Sequence, residues 1–564
     1  MLDGTVVPRW LSHQLSELRE ATFVELALVI VTSAATRHSS ARDRIRGLLF
    51  SLYQAADYRA FWSSPDAFEL VDETSRLRSE TPVLEVATTS DEPFAESELE
   101  VVRSHHLDVV LWLSEPPPRG GILRCSSHGV WTLRHGDPED FREGPPFFWE
   151  LFDGETVSTT VVEVWSHHQD RQPKQIYSSR SAIHPQSLYL SRNSPYWKSA
   201  QFMLRCLKDL AADGGVARES RSPDRPEGAS DGEPRGIPSN AQMFFFLTRL
   251  FARGTRSRLR RLLYREHWFL AYREKRGPEL AADMQDCTVV PAPRGLSGAD
   301  PFVVYENGRH HVFFEEFSAQ EARGQIAHFE LLPGGSTTGR ETVLKRPYHL
   351  SYPFVFARDG EMYMLPETAS NRAIELYRAE EFPTTWRLER ALISDVTAVD
   401  PTLLEHAERL WLFANVKEYG APYSDELCLF FADSLDGPWT PHPENPIVSD
   451  VRSARPAGRI FEHDGALIRP GQDSSGRYGR AVTLNRIDLL TVSGYRETTV
   501  GRIEPSWRPR NLGTHTYNFD DLYEVVDGRE WEPRFRFPFS LALRSKPARR
   551  RHEQQVGRAP EGDL

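Results

Sequence analysis

DPFVVYENGRHHVFFEE (300–316) is the stretch whose reading decides the fold. Two short apolar runs flank Asn307-Gly308, and Asn-Gly between two such runs is the strongest short-range signal for a β-hairpin. The pattern returns without gaps in YPFVFARDGEMYMLPET (352–368), DPTLLEHAERLWLFANV (400–416) and AGRIFEHDGALIRPGQD (457–473). Its turns fall at Asp359-Gly360, Ala407-Glu408 and Asp464-Gly465. Hairpins recurring at roughly fifty-residue spacing read as propeller blades of four short strands. A weaker fifth unit, LYEVVDGREW (522–531), puts its turn at Asp527-Gly528. The C-terminal half is therefore expected to be an all-β, five-bladed β-propeller over residues 285–545.

Outward from the repeats, the chain changes character. Residues 213–238, DGGVARESRSPDRPEGASDGEPRGIP, are rich in Gly, Pro, Ser and charge and read as a disordered linker. Residues 239–284 read as a helical connector, with helical spacing over 241–275. Residues 546–564 read as a disordered tail. Residues 1–212 alternate strands (23–33, 82–88, 107–114, 128–135) with helices (41–58, 93–105, and a short one at 119–125). That alternation predicts an α/β domain with a parallel sheet. No GxGxxG follows the first strand, TSAATRHSS, so a dinucleotide is not the expected ligand.

The 564 residues are 39% hydrophobic and 11% aromatic, enough to fill sizeable cores and too much for a disordered chain. Acidic residues outnumber basic ones, 80 to 68, for a net charge of −12. A globally basic nucleic-acid binder is thereby disfavoured. Four Cys lie far apart with no CxxC, which supports neither a disulfide framework nor a Cys-rich zinc site. The pairs His105-His106 and His167-His168 each offer at most one ligand to a site, and no metal is expected. No apolar run approaches a membrane span, and the run near 24–31 reads as a buried strand. A cytoplasmic protein is the expectation.

In the α/β half, HGVWTLRH ends in His135, REGPPFFW carries Gly144 nine residues later, and SHHQDRQPKQIY carries Asp170. This arrangement resembles the catalytic domain of folate-dependent formyltransferases. The resemblance implies His135 and Asp170 as catalytic groups, Gly144 as part of the binding loop, and 10-formyltetrahydrofolate as donor. Leu133 stands where that family has Asn. Leu has no donor to hold an oxyanion, which counts against the folate.

In the propeller, opening and closing positions of each hairpin emerge at one end and should ring the mouth of a central funnel. The opening positions are Asp300, Tyr352, Asp400 and Ala457. The closing ones are Glu315, Glu367, Asn415 and Gln472, with Glu316 and Asp473 beside them. Arg455, Arg469 and His515 fall close by. Carboxylates accept paired hydroxyl hydrogen bonds, and Tyr352, Trp411 and Tyr517 offer faces for sugar stacking. The motifs ADPFVVYENG, VDPTLL, LIRPGQD and GTHTYNF resemble the propellers of arabinanases, invertases and related glycosidases. They are still more similar to the N-terminal region of plant glucosamine inositolphosphorylceramide transferases. The glycosidase resemblance implies Asp300 as base or nucleophile and Asp400 as the group tuning a general acid from blade four. Glu462 fits that acid by count but sits just before the Asp464-Gly465 turn.

These readings converge on a carbohydrate-modifying transferase, with formyl-type transfer to an amino sugar or glycoconjugate as its first form. The alternatives are a glycosyltransferase or glycoside hydrolase working through the funnel, and a non-catalytic glycan-binding protein. The expected partner is a sugar or glycoconjugate, with no nucleic acid and no membrane span. The expected site residues are His135, Asp170, Asp300 and Asp400 as catalytic groups. Gly144, Tyr352, Glu367, Arg469, Asp473 and His515 are expected to bind substrate.

Overall fold

In the computed structural model the repeated turns adopt the geometry that their residues favour. Both central residues of all four have positive φ, at Asn307-Gly308, Asp359-Gly360, Ala407-Glu408 and Asp464-Gly465. That is the backbone of the two-residue turns that suit the twist of paired strands. The structure describes residues 1–33, 47–87, 94–114, 117–136, 144–167, 173–213, 235–276, 284–293 and 295–534. The expected disordered linker lies mostly outside the described residues, and so does the tail.

Blade one is built on Leu296–Glu306, Arg309–Ser318 and Arg323–Leu332. Blade two runs Ser351–Arg358, Glu361–Glu367, Ala373–Glu381 and Thr385–Ser394. Blade three is built on Ala398–His406, Arg409–Val416 and Glu426–Ala432, and blade four on Ala466–Asp473, Ala481–Leu490 and Tyr495–Ile503. Neighbouring sheets cover one another's faces. Phe302, Tyr352, Phe354, Leu376 and Leu412 therefore form one core from three blades, and the strands are apolar on both sides.

Blade five corrects the expected boundary. It is assembled from both ends of the propeller: Tyr517–Phe519 and Tyr523–Pro533 pair with Tyr264–Glu274 and Thr288–Val289. The propeller thus begins at residue 264, not 285. The expected helix over 241–275 stops at Leu263 and gives way to a strand. Asp527-Gly528 is not a turn either. The strand runs straight through it, and Asp527 and Gly528 pair with Leu270 and Phe269. Glycine is required there by space, because a Cβ on Gly528 would lie 2.4 Å from Cζ of Phe269.

The N-terminal half is α/β, but its sheets are not all parallel. Val29–Ser33 and Val83–Ala87 form a two-stranded parallel pair. Val110–Trp112 is parallel to Val130–His135, which continues antiparallel into Val157–Trp165 and Lys174–Ala182. The helices Arg9–Glu20, Leu48–Phe61 and Leu188–Ser199 close a core of Trp10, Phe50, Phe148 and Trp197.

This unit is clamped to blade three. Lys198 Nζ donates to Asp425 (2.9 Å), Arg205 forks onto Glu426 (2.6 and 3.0 Å), and Arg180 pairs with Asp450 (3.2 Å). Trp197 packs against Gly420 so closely that a Cβ there would lie 2.4 Å from the indole.

Candidate functional site

Each of the first three blades opens with X-Pro: Asp300-Pro301, Tyr352-Pro353 and Asp400-Pro401. Proline has no N–H for the ladder, so pairing breaks there. The register shifts between Ala299 and Phe302, Ser351 and Phe354, and Val399 and Thr402. The residue before each proline takes a positive φ, 51°, 46° and 53°, a strained backbone held by its surroundings. In blade four Arg455 stands opposite Gln472, the register place that Ala299, Ser351 and Val399 hold in the first three blades, so Pro456 falls where Asp300 does. Ala457 is therefore not the equivalent of Asp300. The gapless alignment is out by one residue here, because the unpaired stretch between Pro456 and Phe461 is longer than the one at Asp300-Pro301.

These openings surround an axial cavity of about 460 Å³. Asp300, Glu315, Glu367, Arg455, Tyr478 and His515 line it, with His267 and Trp268 from the strand that closes blade five. Asp300 Oδ1 accepts from Thr516 Oγ1 (2.6 Å), and its Oδ2 accepts from the backbone N–H of Tyr352 (3.3 Å). His515 Nδ1 donates to Asp527 (2.5 Å), while its Nε2 stands 3.8 Å from Asp300. Asp527 is fixed by backbone N–H groups of Asp300, His515 and Thr516. Trp268 stacks on His515 with ring centroids 4.1 Å apart. Arg455 forks onto Asp400 (2.5 and 3.2 Å) and lies 3.6 Å from Glu367.

Burial crowds these charges. Burial, then the neighbouring Asp400, holds the Glu367 carboxyl up to about 8 against the pull of Arg455. Burial likewise lifts Asp300 to about 6, opposed by His515. Burial alone would depress the imidazole of His515, but Asp527 and then Asp300 outweigh it and raise the group above its ordinary value. Asp300, His515 and Asp527 thus form one buried carboxylate–imidazole–carboxylate cluster, hydrogen-bonded between His515 and Asp527. Their donor atoms lie within 4.8 Å of one another, a spacing that a cation would also fit.

A pH dependence follows for Glu367. Its carboxyl titrates near 4.5 when unfolded and near 8 when folded, so the stability it contributes is whole below about 4.5 and lost as pH rises through about 8. Glu367→Gln is expected to flatten the decline of the melting temperature across that window. Superimposable profiles for variant and parent would rule the assignment out.

Several expected residues sit elsewhere. Asp400 is buried beneath Arg455, where Gln472 also donates to it (3.0 Å), and does not face the cavity. Tyr352 is sealed in the core, its hydroxyl bonded to Thr402 (2.8 Å), so it offers no face to a sugar. Arg469 is spent on Glu497 (2.6 Å) and Asp473 on Arg502, both away from the cavity. Trp411 and Tyr517 are likewise buried. Glu462 lies exposed on the outer hairpin strand Phe461–His463.

In the α/β unit, His135 is half-buried, stacked on Tyr196 at 3.7 Å and bonded to Ser199 Oγ (2.8 Å). Burial, then Arg192, holds its imidazole down to about 3. Gly144 is pressed against Trp149, whose Nε1 would lie 2.7 Å from an added Cβ. Leu133 is packed against the core, and Asp170 lies outside the described residues. Sequence reasoning missed the pocket residues Trp268, His267 and Tyr478, and the role of Asp527 behind His515.

Fold and site together define a five-bladed propeller with a carboxylate-rich axial pocket, mounted on an α/β unit. Residues 286–519 match the family model described as "Glucosamine inositolphosphorylceramide transferase 1, N-terminal". Glucosamine inositolphosphorylceramide transferase 1 of Oryza sativa subsp. japonica is 39% identical over 236 residues, covering 41% of this chain and 32% of the relative. The Arabidopsis thaliana protein of the same name is 35% identical over 244 residues, covering 41% and 32%. The chain thus spans about a third of the length of the curated relatives it matches. Among solved structures, the family 117 glycoside hydrolase Zg3597 of Zobellia galactanivorans is 12% identical, covering 47% of this chain and 90% of its own, with a TM-score of 0.32. A GH43_1 enzyme from Xanthomonas citri is 11% identical, covering 45% and 90%, also at 0.32.

Proposed function

We propose that the chain is a carbohydrate-modifying transferase whose axial pocket holds the sugar of a glycoconjugate. The observation that carries this reading is the convergence of Asp300, Glu315 and Glu367 with Arg455 and His515 in one cavity of about 460 Å³. Trp268 and Tyr478 add aromatic walls. Carboxyl groups with one fixed guanidinium suit a ring of hydroxyls, and a sugar bearing an ammonium group would draw the raised Glu367 carboxyl into its charged form. In this reading Asp300 takes a proton from a sugar hydroxyl, with His515, held by Asp527, beside it. The matched relatives are named transferases, which supports the same class.

Hydrolysis is the weaker reading. Glycoside cleavage uses two opposed carboxyls at a defined separation. Blade four brings the cation Arg455 to the cavity, and its Glu462 stays outside. Formyl transfer is not part of the proposal, since His135 is engaged by Ser199 and Tyr196.

The test is a thermal-shift and calorimetric panel of glucosamine, N-acetylglucosamine, glucose and inositol on the full chain. A ligand of the folded state raises the melting temperature by mass action. Glucosamine is expected to give the largest shift, and Glu367→Gln to reduce it. A panel in which no sugar shifts the transition would overturn the proposal.

A further inference from the structure

The helix Asn240–Leu263 has two separate apolar faces. Met243, Phe246, Leu247 and Leu250 pack into the α/β core. A second stripe faces outward: Phe244 is 62% exposed, Phe251 77% and Leu262 65%. At about 100° per residue these three fall within about 20° of one another, so they form one line along the helix. Phe245, Leu259 and Leu263 widen it, and all three are exposed. Apolar side chains aligned on solvent for most of a long helix mark a surface that something covers.

Charge says what covers it. The helix carries six Arg and no Asp or Glu in its 24 residues, within a chain of net charge −12. Arg258 and Arg261 border the stripe on one side and Arg256 on the other. Among the described residues no carboxylate is ion-paired with these three. No described helix is long and apolar enough to cross a membrane, and a helix this basic lies in an interface rather than spanning it.

We infer that the outward stripe of Asn240–Leu263, with its flanking arginines, docks the protein on an anionic lipid surface. The helix runs directly into Tyr264–Glu274, whose residues Arg265, His267 and Trp268 line the axial pocket. A docked helix therefore holds the pocket mouth near the headgroups. This placement stands whether or not the pocket binds a sugar.

The experiment is co-sedimentation of the full chain with vesicles of phosphatidylcholine alone or with about 30% phosphatidylserine, at low and high salt. The parent is expected to pellet with the anionic vesicles, and salt to weaken that binding. The triple change Phe244→Asp, Phe251→Asp and Leu262→Asp is expected to lower the partition coefficient roughly tenfold or more. Its folded state is expected to be intact by circular dichroism and melting, because the three side chains contribute nothing to the core. Arg256→Glu with Arg258→Glu is expected to remove the preference for anionic vesicles.

Three results would overturn the inference. One is a parent that stays in the supernatant with both vesicle types, or a triple variant that still pellets. A second is a parent dimer that the triple variant turns into a monomer, which gives the stripe to a second copy of the chain. The third is vesicle binding that appears only after removal of residues 535–564, which gives the stripe to the chain's own C-terminal segment, FRFPFSLAL onward.

Discussion

Lys198→Ala is expected to destabilise the protein by about 3–5 kcal/mol, the usual cost of stripping one partner from a buried ion pair. The side chain of Lys198 is fully buried and that of Asp425 nearly so. The ammonium also donates to the carbonyl of Arg180 (3.1 Å), which without it keeps only the N–H of Val451 (3.2 Å). Burial already raises the Asp425 carboxyl, with Lys198 pulling it down. Without Lys198 the carboxyl climbs further and takes up a proton, which limits the loss. The effect should concentrate at the seam between the α/β unit and blade three. Denaturant unfolding with limited proteolysis is the measurement, and cleavage between the two units should precede unfolding of the propeller. Lys198→Met with Asp425→Leu should restore most of the stability, since matched apolar groups need no partner. A single variant within about 1 kcal/mol of the parent, or a pair no better than the single change, would show the seam is held elsewhere.

Asp300→Asn is expected to reduce sugar-dependent transfer by about two orders of magnitude, the low end for removing a general base. The fold should survive. An Asn carbonyl still accepts from the N–H of Tyr352, and its amide still meets Thr516. The melting temperature should therefore move by only a few degrees. Asp527→Asn is the informative companion. Asp527 and Asp300 both raise His515, so neutralising Asp527 lowers the imidazole. Any limb of the pH–rate profile that follows loss of the His515 proton should then shift to lower pH. A merely structural role for Asp527 would lower activity without moving that limb. Full activity in Asp300→Asn would make Asp300 a cap for the opening strand of blade two and nothing more.

The propeller is legible in the sequence because its signal is local and repeated. Asn-Gly and Asp-Gly turns demand positive φ at adjacent residues, and that demand is met or refused within four residues of chain. Asp527-Gly528 shows the limit of such a signal. The dipeptide permits a turn, yet the sheet overrides it, because Gly528 is needed where Phe269 packs against the backbone. Helical spacing over 241–275 misleads beyond Leu263 for a related reason. The strand Tyr264–Glu274 finds its partner at Tyr523–Pro533, far along the chain, and no local pattern announces a pairing of that reach.

The site divides along the same line. Sequence alone put Asp300, Glu315 and Glu367 at one mouth, because blade register repeats with the chain, whereas His515 joins them through a fifth blade whose register the sequence did not show. Only the tertiary structure decided which candidates face the cavity. Asp400, Arg469 and Asp473 carry the same kinds of charge as the pocket residues. Each is turned instead to an oppositely charged partner, respectively Arg455, Glu497 and Arg502. A charge in a low-dielectric interior takes the nearest opposite charge its backbone allows. The identity of that neighbour is a property of blade against blade, which the order of residues along the chain does not contain.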